Sequence, residues 1–206
     1  MKNRADFGNM DRVFLLVVLL FASCSTTPAV KYYTLNPSFD IQPDNFQAVS
    51  GDSLAIGVGP VEFPKFLDRP QILTRKSQSR VMVSEFHRWA GPFSADFLRV
   101  LTKNISMLLP AERVSAYPWA DQFSPTYRIT LTVDQFDGQF GGDVVLNVTW
   151  FVWNQNDANE PVVKHTRIKE PVPAKNYDAL VEAHSRAIAT LSSAIADEIA
   201  KVSNSN

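Results

Sequence analysis

The sequence is poor in the residues from which catalytic and metal centres are usually built. Cysteine occurs once, at Cys24, so no disulfide can close within the chain and no cysteine pair can hold a metal. Histidine occurs three times, as His87, His165 and His184, and none is spaced with another ligand in the manner of a metal site. Glycine is sparse. Gly57-Val58-Gly59 begins a dinucleotide fingerprint but lacks the third glycine, and Pro60 and Pro64 prevent a helix from opening there. No G-x-S-x-G elbow is present. Asp134, Asp137 and Asp143 flank a glycine-rich turn without the spacing of an EF-hand, so they read as acidic turn residues rather than a calcium site. Net charge is only −1, which gives no ground to expect nucleic acid or an anionic surface as a partner. With no nucleophile paired to a base, no cofactor cradle and no metal set, the expectation is a protein that is not an enzyme, with no cofactor.

Long hydrophobic runs are also missing, with one short exception. Residues 13–21 are wholly apolar, well below the roughly 20 residues needed to span a bilayer. Lys2, Arg4 and Arg12 precede the run, and Ala22-Ser23-Cys24 follows it. A basic start, a short apolar run and small residues make a secretory signal peptide over residues 1–23. Cys24 then sits where a bacterial lipobox requires its cysteine, although Phe21 stands where lipoboxes usually carry Leu. In this reading a signal peptidase cuts before Cys24, the thiol takes diacylglycerol, and the new amino group is acylated, palmitate being the fatty acid expected. The alternative is an ordinary signal peptide cut a few residues away, with Cys24 an incidental thiol. A triacylated cysteine holds a domain stably to a membrane face without spanning it. Ser25 after the cysteine, where Asp favours inner-membrane retention in enteric bacteria, leans towards the outer membrane.

The remainder fits one domain. The leader carries +1 of the chain's −1, so the rest carries −2. Hydrophobic residues make up 45% of the chain, enough to build a core by packing alone. Residues 24–30 read as a lipidated tether and 31–206 as the domain. Strands are expected over Lys31–Leu35, Leu54–Val61, Gln71–Lys76 and Val81–Glu85, with a polar loop over 38–52. Pro60 argues that the second strand lies at an edge or an end, and its glycines argue for a bulge or a close backbone approach. From Pro92 the period changes. Phe93, Phe97, Val100, Leu101, Ile105 and Leu108 mark an amphipathic helix that Pro110 stops.

The plan then repeats, without a residue-level repeat. Tyr127, Ile129, Leu131 and Val133 alternate with polar residues in the clearest strand. Asp137-Gly138 and Gly141-Gly142 mark a hairpin into a strand over Val144–Trp153, and a further strand covers Val162–Ile168. Asn176 is the expected N-cap of a last helix reaching about Lys201, striped by Leu180, Ala187, Ile188, Leu191, Ile195 and Ile199. His184 falls on that stripe and reads as a packed core histidine. Runs of strands with few crossovers predict an α+β fold: a single domain with a mostly antiparallel sheet and two amphipathic helices packed on one face.

Aromatic and apolar residues in apparent loops stand out: Phe63, Phe66 and Leu67, then Trp89, then Tyr117-Pro118-Trp119. Loop aromatics cap a core or form a contact patch, and both readings stay open here.

Several of these stretches are words of one family. They are Tyr32-Tyr33-Thr34-Leu35; Ile56-Gly57-Val58-Gly59-Pro60-Val61; Pro64-Lys65-Phe66-Leu67-Asp68-Arg69-Pro70-Gln71-Ile72-Leu73-Thr74-Arg75; His87-Arg88-Trp89-Ala90; Tyr117-Pro118-Trp119; and Phe136-Asp137-Gly138. The chain resembles the ABC-type transport auxiliary lipoproteins over nearly all of its length after the leader. Phe66 departs from the Tyr that the family often carries. The resemblance implies a non-enzymatic outer-membrane lipoprotein on the periplasmic face, serving lipid transport and membrane integrity. Its implied partners are an MCE-domain periplasmic protein and an inner-membrane transport component, with a ring of copies of the chain itself. Cys24 carries the lipidation. Phe66, Leu67, Arg69 and Trp89 are the candidate partner-contact residues. A structural envelope lipoprotein that stabilises another complex without handling lipid is the alternative, and a hydrolase a distant third.

Overall fold

A computed structural model describes residues 28–38, 54–109, 111, 113–156 and 160–204. The expected signal peptide over 1–23, Cys24, most of the polar loop of 38–52 and Pro110 lie outside the described residues. In chain order the elements are β1 (Lys31–Tyr33), β2 (Ala55–Glu62), β3 (Gln71–Arg75), β4 (Val81–Trp89), α1 (Phe93–Leu108), β5 (Arg113–Ala116), β6 (Tyr127–Gly138), β7 (Asp143–Asn154), β8 (Val162–Pro171) and α2 (Tyr177–Asn204).

All eight strands join one sheet in a single α+β domain. Its hairpins are β3–β4, β6–β7 and β7–β8, all antiparallel. The other four pairings, β1–β4, β2–β5, β2–β6 and β3–β6, are parallel. By pairings the sheet is therefore mixed and mostly parallel, which corrects the expectation of a mostly antiparallel one. The reason is the crossover. Parallel neighbours need a connection of a dozen or more residues, and the chain leaves β2, runs through β3, β4 and α1, and returns beside β2 as β5.

β2 is a second correction. It lies between β5 and β6 rather than at an edge. Pro60 is tolerated because β5 pairs only as far as Val58 and the β6 register shifts between Val58 and Val61. The bulge and the close approach expected of its glycines are both present. A Cβ on Gly57 would lie 2.6 Å from the Trp119 ring, and Gly59 has φ 110° with Tyr117 Cβ 2.7 Å from where its own Cβ would be.

β6 organises the rest. One edge takes β7 along its whole length. The other takes β2 over its first half and touches β3 at one pair, Thr74–Gly138. The alternation of Tyr127, Ile129, Leu131 and Val133 puts those four side chains in the core. The even-numbered side of β7, from Val144 to Val152, is buried with them, while Phe151 and Trp153 are half-buried on the opposite side.

The helices pack against each other, α1 over β2 and β5 and α2 over β6, β7 and β8. Every residue of the two predicted apolar stripes is buried. Each fully buried apolar side chain contributes about 1.5–3 kcal/mol relative to exposure, so these stripes fix the helices in place. Asn176 caps α2, its Oδ1 accepting from Ala179 N at 2.8 Å. Leu109 is extended, as a residue before proline prefers, which ends α1.

The N-terminal segment is clamped between the helices. Leu35 is fully buried. Its N–H donates to Asp96 Oδ2 at 2.7 Å and its carbonyl accepts from Arg99 at 2.7 Å. Asn36 N donates to Ser185 Oγ, and Ser38 N to Asn104 Oδ1.

Candidate functional site

The family words, far apart in sequence, meet in three places. The first is an open groove of about 450 Å³ lined by Tyr32, Asp68, Arg69, Arg88, Trp89 and the turn into α1. Parallel pairing of β1 with β4 sets Tyr32 beside Arg88 and Tyr33 beside Trp89. The 64–70 loop is pinned to the same place. Trp89 N donates to Pro70 O at 2.7 Å, and Ala90 N to Tyr33 O at 2.8 Å. Asp68 accepts from both Ser94 N, at 3.0 Å, and Ser94 Oγ, at 2.9 Å, and so caps the start of α1 from outside the helix. Arg69 Nε donates to Gln71 Oε1 at 3.1 Å. The Nε of Arg88 is buried with no acceptor.

Beneath the groove the chain is aromatic. Trp89 stacks on Phe93 with centroids 4.6 Å apart, and His184 meets the edges of both rings and lies 4.7 Å from Phe136. His184 is the packed core histidine its position on the stripe predicts. Its Nδ1 donates to Leu180 O at 2.8 Å, and burial pushes its pKa down to about 4. Beside the groove, His87 Nδ1 and Tyr33 Oη are hydrogen-bonded at 2.8 Å, and the imidazole stacks on Tyr177 at 3.8 Å. Burial, with Lys31 nearby, lowers the pKa of His87; burial, with Asp178 nearby, raises that of Tyr33. The pair is thus a neutral hydrogen bond at neutral pH.

The second meeting place joins Gly57 and Gly59 to Tyr117 and Trp119. Tyr117 N donates to Val58 O at 2.8 Å, and Trp119 Nε1 to Ser115 O at 3.0 Å. The third joins Arg75 to Asp137. Arg75 Nε donates to Asp137 Oδ1 at 2.7 Å and Nη2 to Oδ2 at 2.5 Å, and Gln135 adds a donor at 2.9 Å. The carboxylate raises the pKa of Arg75. Asp137 is therefore engaged as a structural anion.

Of the four candidate contact residues, the groove gathers Arg69 and Trp89. Leu67 is 3% exposed and lies in the core, Trp89 shows only 5% of its surface, and Phe66 is 47% exposed on the loop. The residues absent from that set are Tyr32, Asp68 and Arg88. Each stood in a family word, but only the long-range β1–β4 pairing, with the 64–70 loop closed against it, brings them together. A second concavity, of about 400 Å³, runs between α1 and β5 beside Leu98 and Tyr117. Among the described residues no group of His, Cys, Asp and Glu is placed to hold a metal, and no helix is long and apolar enough to cross a membrane.

The eight-stranded mixed sheet with its two packed helices defines the class by fold: a single-domain α+β protein. The family follows from comparison with known proteins. The sequence model of the ABC-type transport auxiliary lipoprotein component matches residues 33–196, and the chain belongs to that family. It is 22% identical to the intermembrane transport lipoprotein PqiC of Escherichia coli K12 over 187 residues, which is 91% of this chain and 96% of that one. Two crystal structures share the fold. One is of an uncharacterised protein, with TM-score 0.67 and 20% identity over 84% of this chain and 99% of that one. The other is of a Xanthomonas campestris protein, with TM-score 0.66 and 14% identity over 85% and 99%.

Proposed function

We propose that this chain is the lipid-anchored auxiliary or docking component of an MCE-type ABC lipid-transport system, without enzymatic activity. Signal peptidase removes residues 1–23, and Cys24 fixes the domain to the periplasmic face of the outer membrane. There it receives an MCE-domain periplasmic protein that is coupled to an inner-membrane transport component, with copies of the chain arranged in a ring. The observation that carries this reading is the family match across residues 33–196, supported by PqiC being named an intermembrane transport lipoprotein. Phe66 and Arg69 offer surface for a partner, while Leu67 and Trp89 support them from beneath.

The test is affinity purification of the tagged full-length protein from its own envelope in mild detergent, followed by mass spectrometry. An MCE-domain protein in the eluate supports the reading. Elution alone, in several detergents and after cross-linking, overturns it.

One observation favours a second reading, a structural envelope lipoprotein that never handles lipid. Most of the family words build buried joints. Lipid extraction of the purified protein separates the two, since reproducible co-purified phospholipid beyond the covalent anchor is expected only of the first.

A further inference from the structure

The near-zero net charge hides a local imbalance. The groove carries two guanidiniums, Arg69 and Arg88, and one carboxylate, Asp68. Both Asp68 oxygens already accept from Ser94. Arg69 commits its Nε to Gln71, and among the described residues neither arginine has a carboxylate at ion-pair distance. The Nε of Arg88 is buried without an acceptor. An unmatched donor on a charged group is costly. Two planar forks at one groove suit an anion with several acceptor oxygens, and the start of α1, at Gly91 and Pro92 in the groove wall, adds a favourable dipole.

The groove is also amphiphilic. Pro70, Pro92 and the largely buried Trp89 border it, and so does Tyr32, which is 64% exposed. Exposed tyrosines of this kind, apolar in body and wet at the tip, collect at membrane–water interfaces. Tyr32 is eight residues from Cys24. A fully extended link of that length reaches at most about 29 Å, which keeps the groove near whatever surface holds the cysteine. An acidic peptide would need the cations but not the apolar walls or the short leash.

We propose that the Arg69–Arg88 groove binds the phosphodiester headgroup of an anionic phospholipid from the bilayer that carries Cys24. This rests on the lipid anchor proposed above. It makes the domain a reader of the membrane it stands on, beyond a passive post.

The test is calorimetric titration of the full-length chain in neutral detergent with dihexanoyl phosphatidylglycerol, below that lipid's own micelle concentration. Inorganic phosphate and a polyglutamate peptide are run as competitors. Saturable lipid binding is expected, and Arg69→Gln with Arg88→Gln should weaken it about tenfold or more. Arg167→Gln with Lys169→Gln, an equal charge change at two exposed positions on β8, should leave it unaltered. Equal binding by the Arg69–Arg88 double variant overturns the proposal, and so does an equal loss in the Arg167–Lys169 control, which would mark a general charge effect. Displacement by inorganic phosphate at matched concentration assigns the site to free phosphate and overturns the lipid source; displacement by polyglutamate does so in favour of a peptide. If the double variant fails to fold by circular dichroism, Arg69→Gln alone, on the loop, decides the same question. Scoring MCE-protein capture on the same samples separates the two readings. Capture without headgroup discrimination overturns the groove and leaves the transport role, and headgroup binding without capture does the reverse.

Discussion

Arg75 holds Asp137 through two parallel hydrogen bonds at the one point where β3 touches β6. The β1–β4–β3 part of the sheet joins the β6–β7–β8 part through the single pair Thr74–Gly138, so this ion pair is the chief polar fastening between them. Asp137 has a side chain only 1% exposed, and Arg75 24%. Arg75→Met should therefore strand a buried carboxylate and cost about 3–5 kcal/mol in urea unfolding. Adding Asp137→Leu should recover much of the loss, since a buried pair replaced whole by apolar groups is often neutral. A single variant as stable as the parent would show that packing alone holds the joint.

Gly59→Ala should destabilise by about 1–3 kcal/mol, because φ 110° strains any L side chain and the new methyl meets Tyr117. Gly91→Ala, with nothing within 4 Å of the added carbon, should stay within about 0.5 kcal/mol. Thermal unfolding of the two variants side by side gives the contrast. Equal effects would mean that the β2 joint tolerates a side chain.

His184 makes stability depend on pH in a defined window. Its folded pKa is lowered to about 4 from 6.5 by burial, so the unfolded state binds the extra proton first as pH falls. The stabilising contribution is complete above pH 6.5 and is lost progressively as pH falls towards 4. The full span is worth about 3 kcal/mol at ~1.4 kcal/mol per unit. Urea unfolding across that range should show the slope in the parent and a flatter one in His184→Gln. Identical slopes would place the dependence elsewhere.

On the lipid anchor proposed above, Cys24→Ala should move the protein from the outer-membrane fraction to the soluble periplasm or leave residues 1–23 uncleaved, and should abolish complementation of an envelope defect. Sucrose-gradient fractionation with immunoblotting reads the first outcome. Full complementation by this variant would make the anchor dispensable and remove the basis for the docking role.

The parts of the fold legible in the sequence are those with a local signature. Six apolar positions at helical spacing place α1, and the strict alternation of Tyr127 to Val133 places β6. β5, Arg113–Ala116, escapes such reading because one exposed and three half-buried residues at an edge carry no period. The parallel pairings escape it too, since β1 finds β4 more than fifty residues away and nothing in Lys31–Tyr33 names that partner. Pro60 suggests an edge or an end because a proline cannot donate to a ladder, yet β2 stays central because the ladder is interrupted at that residue. The candidate site was legible as words and not as geometry. Arg69 and Trp89 stand out by type, while Arg88, Tyr32 and the capping role of Asp68 emerge only from strand pairing and loop closure.

The clamp on Leu35 bears on how the molecule carries load. Tension applied upstream of Pro28 is taken up first by three strand residues, and then by a buried leucine whose own backbone is bonded to Asp96 and Arg99. Asn36 and Ser38 pass the load on to α2 and α1 through Ser185 and Asn104. A tug on the leash is thereby spread over both helices and the sheet, as rope is bent around a cleat, instead of peeling a loose end from the surface.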